Sequence, residues 1–312
     1  MAVAKFYPII AKTLGVNNRV LPSRLAYDIE TGEVDLAEAV NCDIDDSRQI
    51  TRRLGSSQIS SVISHSAFCN KGDCFFVQDR TSDAAIYRLG DDFISYAGVR
   101  SGLTKGNRVA FCQVGDKTYY TNQVQTGVIT DGVSAAWPDQ STHVGAATTR
   151  EFYPAPAGKH LEYWMGRMWI SVGSVIYASE PFAVGKYAMA RCFFQFGANV
   201  VMMKAVEGGM WVSTAEEIGF ISRADDFKSL QWVGKDSRKP AHEWSVCHEL
   251  VDLSKTALQI PGESAVWSSD DGVCVGKENG QLEVITEERL LYPASAEGAT
   301  VVSDGKLFNS IW

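Results

Sequence analysis

Gly166-Arg167-Met168-Trp169-Ile170-Ser171-Val172-Gly173-Ser174-Val175-Ile176-Tyr177 decides the reading of this 312-residue chain. A glycine opens an aromatic and β-branched run, Gly173-Ser174 turns the chain, and a second such run follows, the pattern of a short β-hairpin. The opening strand recurs as Gly72-Asp73-Cys74-Phe75-Phe76-Val77, Gly115-Asp116-Lys117-Thr118-Tyr119-Tyr120, Gly209-Met210-Trp211-Val212, Gly272-Val273-Cys274-Val275 and Gly305-Lys306-Leu307-Phe308. Most copies have a second strand: Ala85-Ile86-Tyr87, Gly127-Val128-Ile129, Ile218-Gly219-Phe220-Ile221 and Leu282-Glu283-Val284-Ile285. The opening glycines lie 43, 51, 43, 63 and 33 positions apart.

A repeat of about 40–50 residues filled with short strands and turns matches a propeller blade of four antiparallel strands. One blade cannot bury both of its faces, whereas a ring of blades packs face on face. The six copies predict an all-β chain, a β-propeller of about five to seven four-stranded blades. An irregular β-sandwich, or two stacked β domains, is the other architecture the pattern allows. Too little chain follows Gly305 for a whole blade, so an N-terminal strand within Glu33–Ile50 is expected to complete the ring.

Two segments break the period. Residues 1–32, with Pro8, Asn17-Asn18, Pro22 and Gly32, read as an extended N-terminal arm preceding a propeller body over 33–312. The long, charged interval around 222–263 reads as an enlarged loop, or an insertion projecting from the rim, where partner contacts are commonly made. Helix signals are confined to Leu36–Val40 and Glu249–Leu258.

Lys plus Arg total 29 against 37 Asp plus Glu, a formal net charge of -8, which argues against nucleic-acid binding as the primary role. A surface of that sign suits a passage through which DNA slides without sticking. Phe6–Ala11, interrupted by Pro8, is too short for a secretory core, and the longest apolar run, Ala198–Met203, is too short to span a bilayer. The seven cysteines are odd in number, scattered and without a CxxC pair, which disfavours both a disulfide framework and a thiolate zinc site and fits folding in a reducing compartment.

The candidate chemical motifs each have a structural reading. Asn41-Cys42-Asp43-Ile44-Asp45-Asp46 begins like a calcium loop but has Asp46 where glycine is required and Arg52 where glutamate is required, so it reads as a strand-joining turn. Ser268-Ser269-Asp270-Asp271-Gly272 resembles the Asp-box hairpin turn of sialidase-like propellers, with Val275 in place of the usual aromatic residue. His65, His143, His160, His242 and His248 show no metal-ligand spacing, and His242 and His248 read as surface residues of a charged loop. Trp164, Trp169, Trp211, Trp232, Trp244 and Trp267 could floor a sugar site but read as blade packing. No residue is assigned a catalytic, cofactor-binding or metal-binding role.

Three ordered stretches carry a family resemblance. They are Gly15–Arg19 continuing to Leu36–Asp46 and Thr51–Gly55, then Trp164–Trp169 continuing to Tyr177–Pro181, then Val266–Gly276 continuing to Leu282–Glu287. Together they resemble tailed-bacteriophage virion proteins with a β-propeller body, nearest to the nozzle or tail-hub proteins of short-tailed phages. The resemblance implies a non-enzymatic structural protein of the phage tail, located in the virion and assembled in the host cytoplasm. It implies a homo-oligomeric ring, a hexamer, continuing the DNA-ejection channel below the portal and adaptor and meeting tail fibre or tip proteins. DNA would pass without specific binding, and no cofactor or membrane insertion is implied. Members of that group are usually longer than this chain. A carbohydrate-binding or glycoside-cleaving propeller, and a receptor-binding tail-tip protein, are the alternatives.

Overall fold

The computed structural model describes residues 12–40, 42–44, 47–52, 60–69, 72–139, 141–144, 150–235, 237–254, 260–292, 294–295, 297–303 and 306–311. Four short strands come first: β1 (Lys12–Val16), β2 (Glu33–Leu36), β3 (Cys42–Ile44) and β4 (Ile50–Arg52). Blade 1 contains β5 (Ser64–Cys69), β6 (Cys74–Asp79), β7 (Ala84–Leu89) and β8 (Tyr96–Leu103). Blade 2 contains β9 (Ala110–Val114), β10 (Lys117–Thr121), β11 (Thr126–Thr130) and β12 (Val133–Ala135), followed by the pair β13 (His143–Val144) and β14 (Glu151–Phe152). Blade 3 contains β15 (Leu161–Trp164), β16 (Arg167–Val172), β17 (Val175–Ala178) and β18 (Phe193–Gln195). Blade 4 contains β19 (Val200–Val206), β20 (Gly209–Thr214), β21 (Ile218–Ser222) and β22 (Gln231–Gly234). Blade 5 contains β23 (Val251–Asp252), β24 (Glu263–Ser269), β25 (Gly272–Gly276) and β26 (Leu282–Val284), and the pair β27 (Gly298–Ser303) and β28 (Lys306–Ile311) follows. Every blade is antiparallel with its strands in sequence order, so the protein is an all-β propeller.

Side-chain alternation explains why the second strands of blades 3 and 4 are apolar at consecutive positions. In β16, Met168 and Ile170 enter the core shared with Cys112, Tyr119 and Trp137 of blade 2, while Trp169 between them enters the core shared with Met203, Met210 and Val212 of blade 4. β20 does the same one blade on, with Met210 and Val212 facing back and Trp211 facing forward to Trp267 and Cys274 of blade 5. A strand buried on both faces loses the polar positions that a half-buried strand keeps. Gly209, at the start of β20, sits against the next strand, where an added Cβ would lie 2.2 Å from the Phe220 ring and 2.4 Å from the Ile221 carbonyl oxygen. Gly209→Ala is therefore expected to lower stability by about 1–3 kcal/mol through forced displacement of β21, measured as a lower urea midpoint at unchanged slope.

The first strands build the inner wall. β9, β15, β19, β24 and β27 lie side by side in that order. β5 joins the series through the Phe68–Phe111 ring contact at 5.5 Å and the Val109 N–H bond to Ser66 Oγ at 2.9 Å. Blade 5 reaches four strands differently from the others. Its first hairpin, β24–β25, occupies the place of β5–β6, β9–β10, β15–β16 and β19–β20, so β23 is an extra strand on the inner side of β24.

This extra strand corrects the expectation for residues 222–263. β22 is the ordinary fourth strand of blade 4, and residues 241–252 then turn inward along β24 instead of projecting from the rim. Ala241 bridges Ser269, the His242 N–H donates to Ser268 O at 2.8 Å, the Cys247 N–H to Val266 O at 2.7 Å, and Val251 pairs with Ser264. The long glycine interval is thus one blade repeat plus an inserted inner strand.

Residues 12–32 are also tied to their own chain. β1 pairs in parallel with β2, Asn18 Nδ2 donates to Leu291 O while its Oδ1 accepts the Leu291 N–H, and Arg289 pairs with Asp35. A boundary after Gly32 cuts through this two-stranded unit. Residues 1–11 of the expected arm lie outside the described residues. The ring-completing strand expected within Glu33–Ile50 is not seen: among the described residues β2 pairs with β1, β3 with β4, and β27 with β28. The cysteine reading needs correction as well, because Cys69 and Cys74 form a disulfide across the β5–β6 hairpin.

Candidate functional site

The propeller axis is where side chains of different blades converge, and residues 241–252 occupy it. Phe68 of β5 meets the His248 ring edge-on at 4.2 Å. Arg108, just before β9, lies over Trp244 at 5.9 Å, and His160, just before β15, lies against the same indole at 4.8 Å. Lys159 pairs with Glu243, and Lys204 Nζ on β19 donates to His248 O at 2.6 Å. Glu243 bridges Glu297 in parallel and accepts the Gly298 N–H through its backbone oxygen at 2.9 Å. One short segment therefore touches β5, β19, β24 and β27 and the residues leading into β9 and β15. Trp244 has φ +63°, a left-handed backbone that breaks the strand at the position where the indole is delivered to Arg108 and His160.

The charges around this segment are matched pair by pair. Lys204 bonds Glu162 Oε1 at 3.0 Å, and Arg108 lies 3.3 Å from Glu297. Burial raises the Glu162 carboxyl above its ordinary range, and the Lys204 ammonium works against that rise. Burial, helped by Lys159, holds His160 neutral down to about 3, and its Nε2 has no hydrogen-bond partner. Packing against the inner strands, and then Lys204, lowers the His248 proton affinity below the ordinary histidine range, although the residue is exposed to solvent.

The fold also brings together Ser268, His242 and Asp270, two of them in the Asp-box-like turn. His242 Nδ1 is 3.2 Å from Ser268 Oγ and Nε2 is 2.9 Å from Asp270 Oδ1. The residue types are those of a hydrolytic triad, but the exposure is inverted. Ser268 is fully buried on β24, while the Asp270 side chain is 44% exposed. A nucleophile must face the substrate and the orienting acid must lie behind it. This set instead anchors the axial segment to β24. It also corrects the surface reading of His242, which is buried.

The remaining sequence candidates resolve as packing. Trp169, Trp211 and Trp267 are wholly buried and Trp164 nearly so, each between blades, while Trp232 packs edge-on to Phe196. Burial raises the thiols of Cys112 and Cys274, the latter to about 12, so neither is a thiolate at neutral pH. Asp43 falls in β3, Asn41, Asp45 and Asp46 lie outside the described residues, and no group of three metal-binding side chains is found among the described residues. A wide, open cleft of about 420 Å³ lies outside the axis, lined by Lys235, Ser237, Arg238 and residues 280–283. Arg238 there pairs with Glu287, and Glu283 pairs with Lys277. No helix among the described residues is long and apolar enough to cross a membrane.

The convergence of 241–252 was not readable in the sequence. The one available signal was the 63-residue glycine interval, which shows that chain has been added but not on which side of the sheet it lies.

Fold and axis together define a β-propeller whose centre is filled by its own chain. No family model matches the sequence, and no curated protein matches it. Among solved structures, the AfRom2 CNH domain is 9% identical with a TM-score of 0.39, covering 80% of this chain and 72% of that one. Hsv2 from Kluyveromyces marxianus is 13% identical with a TM-score of 0.37, covering 67% and 56% respectively. A Bacteroides fragilis protein titled as a 6-phosphogluconolactonase is 12% identical with a TM-score of 0.42, covering 84% and 75%. These likenesses are too distant to carry function, and the fold assignment rests on the blades themselves.

Proposed function

We propose that the protein is a non-enzymatic structural component of a bacteriophage tail, a nozzle- or hub-type subunit that assembles as a homo-oligomeric ring continuing the DNA-ejection channel. The observation that carries the non-enzymatic half is the filled axis. The carboxylates gathered there, Glu162, Glu243 and Glu297, each face a cation; of the indoles that could have floored a sugar site, Trp164, Trp169, Trp211 and Trp267 are inter-blade core, Trp232 packs against that core, and Trp244 is engaged by Arg108 and His160. A glycoside-cleaving centre needs two carboxylates free to work on either side of a bond. The phage half is supported by the resemblance of the three ordered stretches.

Rigid, face-packed blades make a wedge suited to heterologous contacts around a rotation axis. In such an assembly DNA runs between subunits and not through the propeller, whose own axis is occupied. The net charge of -8 fits a wall that DNA does not adhere to.

Negative-stain electron microscopy and mass photometry of the purified protein test this reading. The expected result is a symmetric ring of one stoichiometry, six by expectation, that forms as concentration rises. A particle that stays monomeric at tens of micromolar, or glycan hydrolysis by the monomer, would overturn it.

A further inference from the structure

We propose that residues 241–252 are an acid-sensitive latch across the propeller axis, seated at neutral pH and released when His160 and His248 take up protons. The inference stands on how the histidines are distributed around the segment. Four of the chain's five histidines, His65, His160, His242 and His248, lie in the segment or on strands and turns packed near it, and their neighbours divide them into two kinds.

His242 and His65 each have a carboxylate beside them, Asp270 at 2.9 Å and Asp79 at 3.5 Å, although burial, with Arg108, still lowers the proton affinity of His65. His160 and His248 face cations. His160 lies beside Lys159 and shares the Trp244 indole with Arg108, and its unpartnered Nε2 has no acceptor for a second proton. His248 sits on Phe68 with Lys204 bonded to its own backbone oxygen.

The other charged groups at the axis do not compensate. Glu243 is engaged by Lys159, Glu162 by Lys204 and Glu297 by Arg108. Glu249 of the segment is exposed, and Asp252, also exposed, accepts from the Ser254 N–H and Oγ. Protonation of His160 and His248 therefore adds positive charge to a cluster whose cations already hold their partners, and it places one of those charges in a buried site.

The segment can leave without dismantling a blade. It lies on the inner edge of β24, whose ladder to β25 and β26 remains; release breaks the contacts of Ala241, Val246 and Leu250 with the core between blades 4 and 5 and of Cys247 and Val251 with Val266, Val273 and Val275. The sign follows from the lowered histidine affinities: the released segment binds protons from about pH 6.5 downward, and the seated one does not until much lower. Acid thus favours release throughout that window, by up to about tenfold per pH unit for buried His160 and by less for exposed His248.

Hydrogen exchange read by mass spectrometry on the full chain, corrected for the pH dependence of intrinsic exchange, tests the latch. Between pH 7 and pH 5, peptides covering 241–252 are expected to lose protection by about tenfold or more, while peptides in β10, β16 and β20 change by less than about twofold. His160→Gln and His248→Gln, alone and together, should move the opening to lower pH, whereas His242→Asn should not. His248→Gln touches the partly solvated ring and serves if His160→Gln fails to fold. Loss of protection in the segment and the blades at one common pH overturns the proposal, as does an unshifted opening in His248→Gln.

Discussion

Trp211→Ala is expected to lower the stability of the protein by about 3–5 kcal/mol, the largest effect of any single core truncation proposed for this chain. Trp211 is wholly buried between blades 4 and 5, with its ring centroid 5.0 Å from Phe220 and 5.5 Å from Trp267. Its Nε1 donates to the Lys277 backbone oxygen at 3.1 Å, which fixes the indole against the turn after β25. The backbone has been shaped to this ring: a Cβ on Gly276 would lie 2.5 Å from Nε1. Alanine would leave a cavity that three rigid neighbours cannot close, together with a carbonyl that has lost its donor. Urea denaturation followed by circular dichroism measures the loss. Trp211→Phe separates the two causes, since it restores most of the volume and none of the hydrogen bond; a cost of about 1–2 kcal/mol is expected.

Lys204→Met is expected to cost about 3–5 kcal/mol near pH 8, because it leaves the Glu162 carboxylate buried without its cation. Lys204 and Glu162 are both largely sequestered, and the same ammonium holds His248 O, so one substitution releases the inner wall and the axial segment together. The pH dependence identifies the cause. Glu162 already has a raised proton affinity in the folded protein, and removal of Lys204 raises it further. A carboxyl that binds protons more tightly when folded than when unfolded loses stability as pH rises, so the defect should be large at pH 8 and shrink toward pH 5. Adding Glu162→Gln to Lys204→Met should recover most of the loss at pH 8. A defect that is flat with pH would mean that Lys204 acts through packing alone.

These two residues mark the reach of sequence reasoning here. Trp211 was legible as a blade residue, because Gly209-Met210-Trp211-Val212 repeats a pattern seen six times, and a strand that is apolar at consecutive positions must be covered on both faces. Lys204 was not legible as part of a centre. It lies in Val200–Val206, an ordinary first strand, and its partners come from residue 162 in the preceding blade and residue 248 in the inserted segment. His242 and His248 were visible as a pair six residues apart, but their charged surroundings suggested solvent, whereas backbone pairing to β24 draws the segment inward and buries His242.

The disulfide shows the same limit. Cys69 and Cys74 are five residues apart, and only the β5–β6 register, which sets them directly opposite each other, makes them partners.

The sequence by itself determined that the chain is all β, that its unit is a glycine-opened hairpin, and that the units are numerous enough to cover one another. Those properties are local: turn chemistry and strand alternation act within about ten residues. Only the tertiary structure decided that one interval runs down the axis, that three cations and three carboxylates pair there, and that Ser268, His242 and Asp270 meet with the serine buried. Such juxtapositions depend on which inner edges face one another when the blades close up, and neighbouring residues in the chain carry no record of that.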